Sequence, residues 1–156
     1  MNTLRAFVCC IALCIMMAGS ALAASVPTIS AAELLHQMDN SKGKVLIVVF
    51  WATWCSPCVR EMPGIVAVRA EVPESELQVV GVSLDTSAQA VANFVQQYSI
   101  NFPVFMDAGD VAKTFGVKSI PRTFIFSRSG EKVLDHLGTI SAESFRHVVE
   151  KVRHMP

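Results

Sequence analysis

The sequence has no excess of either charge: 13 Lys and Arg stand against 13 Asp and Glu in 156 residues. No basic run breaks that balance, so the electrostatic footprint of a nucleic-acid-binding protein is missing. There is no internal repeat, no low-complexity segment and no sign of a second domain, and the length fits one domain. Cysteine is scarce and unevenly spread. Cys9, Cys10 and Cys14 lie near the N-terminus, which leaves only Cys55 and Cys58 in the body of the chain. The four histidines, His36, His136, His147 and His154, show no metal-ligand pairing, so a zinc site on the two body cysteines would lack its remaining ligands. No metal and no cofactor is expected.

Residues 1–23 read as an export signal. Arg5 supplies a short positive start, Ala6 to Ala18 an apolar stretch, and Ala21-Leu22-Ala23 a small-x-small cleavage pattern. The competing reading is an uncleaved anchor, since no charge occurs from Ala6 to Ala24 and 19 residues reach across a bilayer. A lipoprotein signal is disfavoured because Leu13, not a small residue, precedes Cys14. The domain is then 24–156, and loss of Arg5 leaves it with 12 basic against 13 acidic residues. The expected compartment is the periplasm, an oxidising one. A disulfide between Cys55 and Cys58 would close a loop too small to add much stability through chain entropy. Two such cysteines in an exported chain point to a redox centre rather than a staple.

The stretch around that pair organises the chain. Val45 to Phe50 is an uninterrupted, β-branched apolar run, the pattern of a strand buried on both faces. It leads through Phe50-Trp51-Ala52-Thr53-Trp54-Cys55-Ser56-Pro57-Cys58 into helical spacing from about Ser56 to Ala70. A helix N-terminus offers unpaired N–H groups and a positive dipole end, and both stabilise a thiolate, the reactive form of cysteine. Pro57 suits the first turn of that helix, whereas Pro63 falls in its interior and predicts a kink.

The flanking elements follow from spacing. Val26 to Ile29 reads as an edge strand. Ser30 and Glu33 form a capping box for a helix from Ala31 to Met38, with Leu34, Leu35 and Met38 on one face. Leu77 to Leu84 is a second buried strand. Asp85-Thr86-Ser87 caps a helix to about Tyr98 that turns Val91, Phe94 and Val95 to the core. Phe102 to Met106 is a short strand, Asp107 to Phe115 a short helix, and Thr123 to Phe126 a strand. Ser127 to Gly130 turns a hairpin into Glu131–Leu137, and Ser141 caps a last helix carrying Phe145, Val148, Val149 and Val152. This order predicts an α/β fold with a central mixed sheet and helices on both faces.

Trp54-Cys55-Ser56-Pro57-Cys58, with Phe50-Trp51-Ala52-Thr53 before it, resembles the thioredoxin superfamily, and within it the TlpA/ResA-type exported thiol–disulfide oxidoreductases. The resemblance runs from about Lys44 to Leu137. It implies the thioredoxin fold, Cys55 as the nucleophile and the exposed cysteine of the pair, Cys58 as the less accessible resolving thiol, and a Cys55–Cys58 disulfide in the oxidised form. It implies a cis bond at Ile120-Pro121, facing the cysteines and bordering the substrate groove with Trp54, Ser56 and Pro57. Glu61 occupies the position of a glutamate that relays protons in TlpA/ResA-type members, while Val49 stands where thioredoxin has a buried aspartate. Arg122 departs from the family, which carries a small polar residue after the proline; it points either to the groove or to solvent. The opening, Ala31-Ala32-Glu33-Leu34-Leu35, also departs, being more like ordinary thioredoxin than the Ala-Pro-x-Phe start of many TlpA-like chains.

The function this implies is reduction of client-protein disulfides by a monomer that a membrane electron donor of the DsbD/CcdA type re-reduces. An oxidase or isomerase of the same fold is the alternative, because Ser56-Pro57 does not set the direction. A copper-delivery module using the cysteine pair is an alternative of another class. A peroxidase is disfavoured, since peroxiredoxins need Thr or Ser three residues before the cysteine and Pro seven before, where this chain has Ala52 and Val48.

Overall fold

Strand β2 (Val45–Trp51) is apolar at every position and buried at every position. A strand apolar on both faces needs cover on both. The computed structural model describes residues 25–155, and the expected export signal lies outside them. In order, the elements are β1 (Thr28–Ile29), α1 (Ala31–Asn40), β2, α2 (Ser56–Glu71), β3 (Leu77–Ser83), α3 (Ala88–Gln97), β4 (Val104–Asp107), α4 (Val111–Thr114), β5 (Arg122–Phe126), β6 (Lys132–Leu137) and α5 (Ala142–Arg153).

The strands form one sheet in the order β1-β4-β3-β2-β5-β6. β1 with β4, β4 with β3, and β3 with β2 are parallel pairs; β2 with β5 and β5 with β6 are antiparallel. The chain steps from β2 to β3 to β4 in one direction, so right-handed crossovers put α2 and α3 on the same face, and the opposite step from β1 to β2 puts α1 on the other. Packing agrees. Val45, Ile47, Val49 and Trp51 of β2 meet α2, α3 and α5 through Met62, Ile65, Val91, Phe94, Phe145 and Val149. Leu46, Val48 and Phe50 meet Leu34 of α1 and Val111 of α4. This is the expected mixed sheet with helices on both faces.

Two glycines allow close approaches. A Cβ on Gly81 in β3 would lie 3.1 Å from the Trp51 indole nitrogen and 3.3 Å from both Phe102 and Val104. A Cβ on Gly64 in α2 would lie 3.0 Å from the Ala142 Cβ and 3.3 Å from its Cα, so α2 and α5 cross there nearly backbone to backbone.

The capping box forms as expected: Ser30 N–H donates to Glu33 Oε2 at 2.8 Å and Glu33 N–H to Ser30 Oγ at 3.3 Å. Some expectations shift. Leu35 is 51% exposed, because it lies about 100° around the helix from buried Leu34. α1 continues to Asn40. α2 runs from Ser56 to Glu71, one residue past the expected end, with Pro63 in its interior as read from the sequence. α4 covers only Val111–Thr114, because Asp107 closes β4 and its carboxylate accepts from the N–H groups of Gly109, Val111 and Ala112.

Candidate active site

At the end of β2 the chain turns through Ala52, Thr53 and Trp54, and Cys55 N–H closes the turn by donating to Ala52 O at 3.2 Å. Cys55 is the N-cap of α2, and its sulfur accepts from Cys58 N–H at 3.3 Å. The N-terminal N–H groups of a helix have no partner inside it; here one of them is aimed at the Cys55 sulfur. Pro57 sits in the first turn, where its missing N–H costs no helical bond. Cys55 and Cys58 are joined as a disulfide with Cα atoms 5.3 Å apart, so the structure shows the oxidised form. Cys55 is 6% exposed and Cys58 2%. The order is the one the resemblance implies, but Cys55 is buried rather than exposed, since the sulfur folds back over the first turn of α2.

The two tryptophans part company. Trp51 is fully buried, its ring 4.8 Å from that of Phe94. Trp54 is 67% exposed, the largest apolar side chain so displayed among the described residues, and it adjoins Cys55.

The Ile120-Pro121 bond is cis. Arg122 lies opposite Phe50 across β5 and β2, which places Pro121 beside the end of β2 where the chain turns toward Cys55. Pro121 O accepts from Gly138 N–H at 2.9 Å, and Ile120 is half-buried. Arg122 points neither to the cysteines nor to open solvent. Its Nε donates to Asp135 Oδ1 on β6 at 2.5 Å, and its guanidinium lies 5.7 Å from the centre of the Phe124 ring. The bond to Arg122, helped by Lys132, holds the Asp135 carboxyl below the usual carboxylate range.

Glu61 is one turn beyond Cys58 and only 6% exposed. Its Oε2 accepts from Ile140 N–H at 3.0 Å, in the segment between β6 and α5. Burial raises its pKa from 4.5 to about 7, with the Ile140 bond opposing. A carboxyl that gains and loses its proton near neutrality sits one helical turn from the buried cysteine. Among the described residues no group of three or more His, Cys, Asp or Glu is placed to hold a metal ion.

Asp85 is the site residue that sequence reasoning misplaced. Ser87 alone caps α3, accepting from Ala90 N–H at 3.2 Å. The Asp85 carboxylate instead accepts from Thr53 N–H at 2.8 Å and from the Thr53 hydroxyl at 2.6 Å. Nothing in the local pattern separates a capping aspartate from one that reaches a neighbouring loop.

The sequence profile of the AhpC/TSA family matches residues 23–133. The thiol–disulfide oxidoreductase ResA of Bacillus thuringiensis is 32% identical over 117 residues, which are 74% of this chain and 68% of that protein. A thioredoxin-family thiol:disulfide interchange protein of Chlorobium tepidum superposes with a TM-score of 0.70 at 28% identity, over 74% of this chain and 83% of its own. StoA of Bacillus subtilis superposes with a TM-score of 0.61, also at 28% identity, over 68% of this chain and 82% of its own. Fold, cysteine pair and relatives agree: the chain belongs to the AhpC/TSA family, as a thioredoxin-fold thiol–disulfide oxidoreductase of the TlpA/ResA type.

Proposed function

We infer that the protein reduces disulfides in client proteins of the periplasm, with Cys55 as the attacking thiol and Cys58 as the resolving one. The observation that carries the assignment of Cys55 is its placement at the N-cap of α2 with Cys58 N–H on its sulfur; the direction follows the TlpA/ResA-type resemblance. That N–H stabilises a Cys55 thiolate in the reduced protein. The thiolate attacks one sulfur of a client disulfide, forming a mixed disulfide and releasing the other client sulfur as a thiolate. Cys58, deprotonated, then attacks Cys55 Sγ. The mixed disulfide breaks, the client leaves with both sulfurs reduced, and two electrons have passed from this protein to the client. Glu61 is suited to take the Cys58 proton once ionised, because a pKa raised to about 7 makes its carboxylate a stronger base than an ordinary one at neutral pH.

The cycle closes when a dithiol donor reduces Cys55–Cys58. An oxidising compartment does not do so unaided, which calls for a donor in the membrane. The export pattern of residues 1–23 supports the location, and exposed Trp54 supports docking of a client beside Cys55. Ser56, Pro57, Ile120 and cis-Pro121 would complete the groove.

Equilibration of the pair with glutathione and dithiothreitol series tests the direction. A potential near or below about −270 mV means a reductant, and one near about −120 mV means a donor of disulfides and overturns this reading.

A further inference from the structure

The loops that leave β2 and β3 run side by side, because the strands are parallel neighbours with Trp51 opposite Ser83. Leu84 N–H donates to Trp51 O at 2.9 Å. One residue further, the Asp85 carboxylate crosses to the β2 loop. Oδ2 takes Thr53 N–H and Oδ1 takes the Thr53 hydroxyl, so one carboxylate grips the residue at two atoms. Ser83 steadies the carboxylate from its own strand: its hydroxyl donates to Oδ2 at 2.7 Å and accepts from Asp85 N–H at 3.1 Å. Thr53 and Trp54 are the central residues of the turn that Cys55 N–H closes. The grip therefore falls on the turn that delivers the nucleophile, and Asp85 has no part in capping α3.

We propose that Asp85 is a positioning residue for thiol–disulfide exchange: by fixing the Ala52–Cys55 turn it holds Cys55 at the N-cap of α2, where Cys58 N–H reaches its sulfur, and keeps Trp54 turned outward. This rests on the reading of Cys55 as the attacking thiol. Holding the turn and adding a negative charge have opposite consequences. Freeing the turn takes N–H groups away from the Cys55 thiolate and raises the pH at which the thiol ionises. Removing a nearby negative charge lowers it. Position and charge are thus separable by sign. The other charged groups near this end of the fold are Arg60 and Glu61 in the first two turns of α2, Lys118 before Pro121, and Arg122 of β5, while Arg69 and Glu71 lie at the far end of α2. Thr53→Val leaves all of them, and Asp85, in place.

The test uses the full chain, reduced, as wild type, Thr53→Val, Asp85→Asn and Asp85→Ala. Iodoacetamide alkylation is followed against pH, with peptide mapping to identify the modified cysteine, and exchange with insulin disulfides is followed separately. The expected result is an upward shift of the Cys55 alkylation midpoint in Thr53→Val and a larger one in Asp85→Ala, with Asp85→Asn between wild type and Asp85→Ala. Insulin exchange falls about tenfold in Asp85→Ala, because the nucleophile is misplaced. If Asp85→Ala does not fold, Thr53→Val, which loses one hydroxyl, carries the test. A downward shift in both Asp85 variants with Thr53→Val like wild type would show a charge effect and overturn the proposal. Slower exchange with unchanged profiles would assign Asp85 to stability alone and overturn it too, as would no change in any variant. Mapping that finds Cys58 alkylated first in the wild type refutes the nucleophile assignment, and this proposal with it.

Discussion

Glu61 links burial to chemistry at a single side chain. Its folded-state proton persists to about pH 7, whereas the ordinary value for the unfolded chain is 4.5. The folded protein binds more protons than the unfolded one across that window, so its stability declines as pH rises from about 4.5 to about 7. Glu61→Gln is expected to remove that decline, which melting curves of the two proteins from acid to neutral pH would show as wild type falling progressively below the variant as pH rises. The same substitution should delete an ionisation near neutrality from the pH profile of disulfide exchange. Trp54 makes a contrasting case. With two thirds of its surface in water, Trp54→Ala costs no core packing. It should slow exchange with a protein client roughly tenfold, as loss of an aromatic docking contact does. Exchange with a small disulfide reagent should stay near the wild-type rate, and parallel assays separate the two.

At the scale of elements, the crossing of α2 and α5 is the tightest joint described. A Cβ at Gly64 would press on the Cβ and backbone of Ala142, which cannot rotate away as a long side chain can. Gly64→Ala gains up to about 1 kcal/mol of helix propensity but forces the helices apart, at about 1–3 kcal/mol. The expected net result is a lower melting temperature in calorimetry and a shifted α5. Much of this scale was legible in the sequence, because hydrophobic period and caps are local signals. The all-apolar run at Val45–Phe50, the Ser30–Glu33 box and the cysteine pair opening a helix all stand where expected. What stayed hidden was which partner a polar side chain takes across the fold. Asp85 and Thr53 are 32 positions apart, and Arg122 and Asp135 are 13 apart on facing strands. Gly64 and Ala142 meet only when the sheet brings their helices together. Period tells which face is buried, but not what a carboxylate at a strand end will reach.

At the scale of the whole molecule, the redox bond is local while the core is not. Cys55 and Cys58 are three positions apart, so their bond restrains few unfolded conformations, and the chain-entropy relation allows it about 2 kcal/mol. The buried cluster on the α1 face lies apart from it, and the larger cluster on the other face includes both cysteines but is built mostly from residues of β2, α2, α3 and α5. Reduction is therefore expected to shift the melting temperature by less than about 8 °C, measured by calorimetry with and without dithiothreitol. The rims of the sheet carry a further consequence. β1 is two residues long. β6 bears Lys132, Asp135 and His136 and breaks register opposite Ile125 and Phe126. Neither offers the long, flat, greasy border on which a foreign strand extends a sheet. For a thiol–disulfide oxidoreductase, which must meet other chains to exchange disulfides with them, blunted rims let contact at the cysteines occur without a foreign strand being added to its sheet.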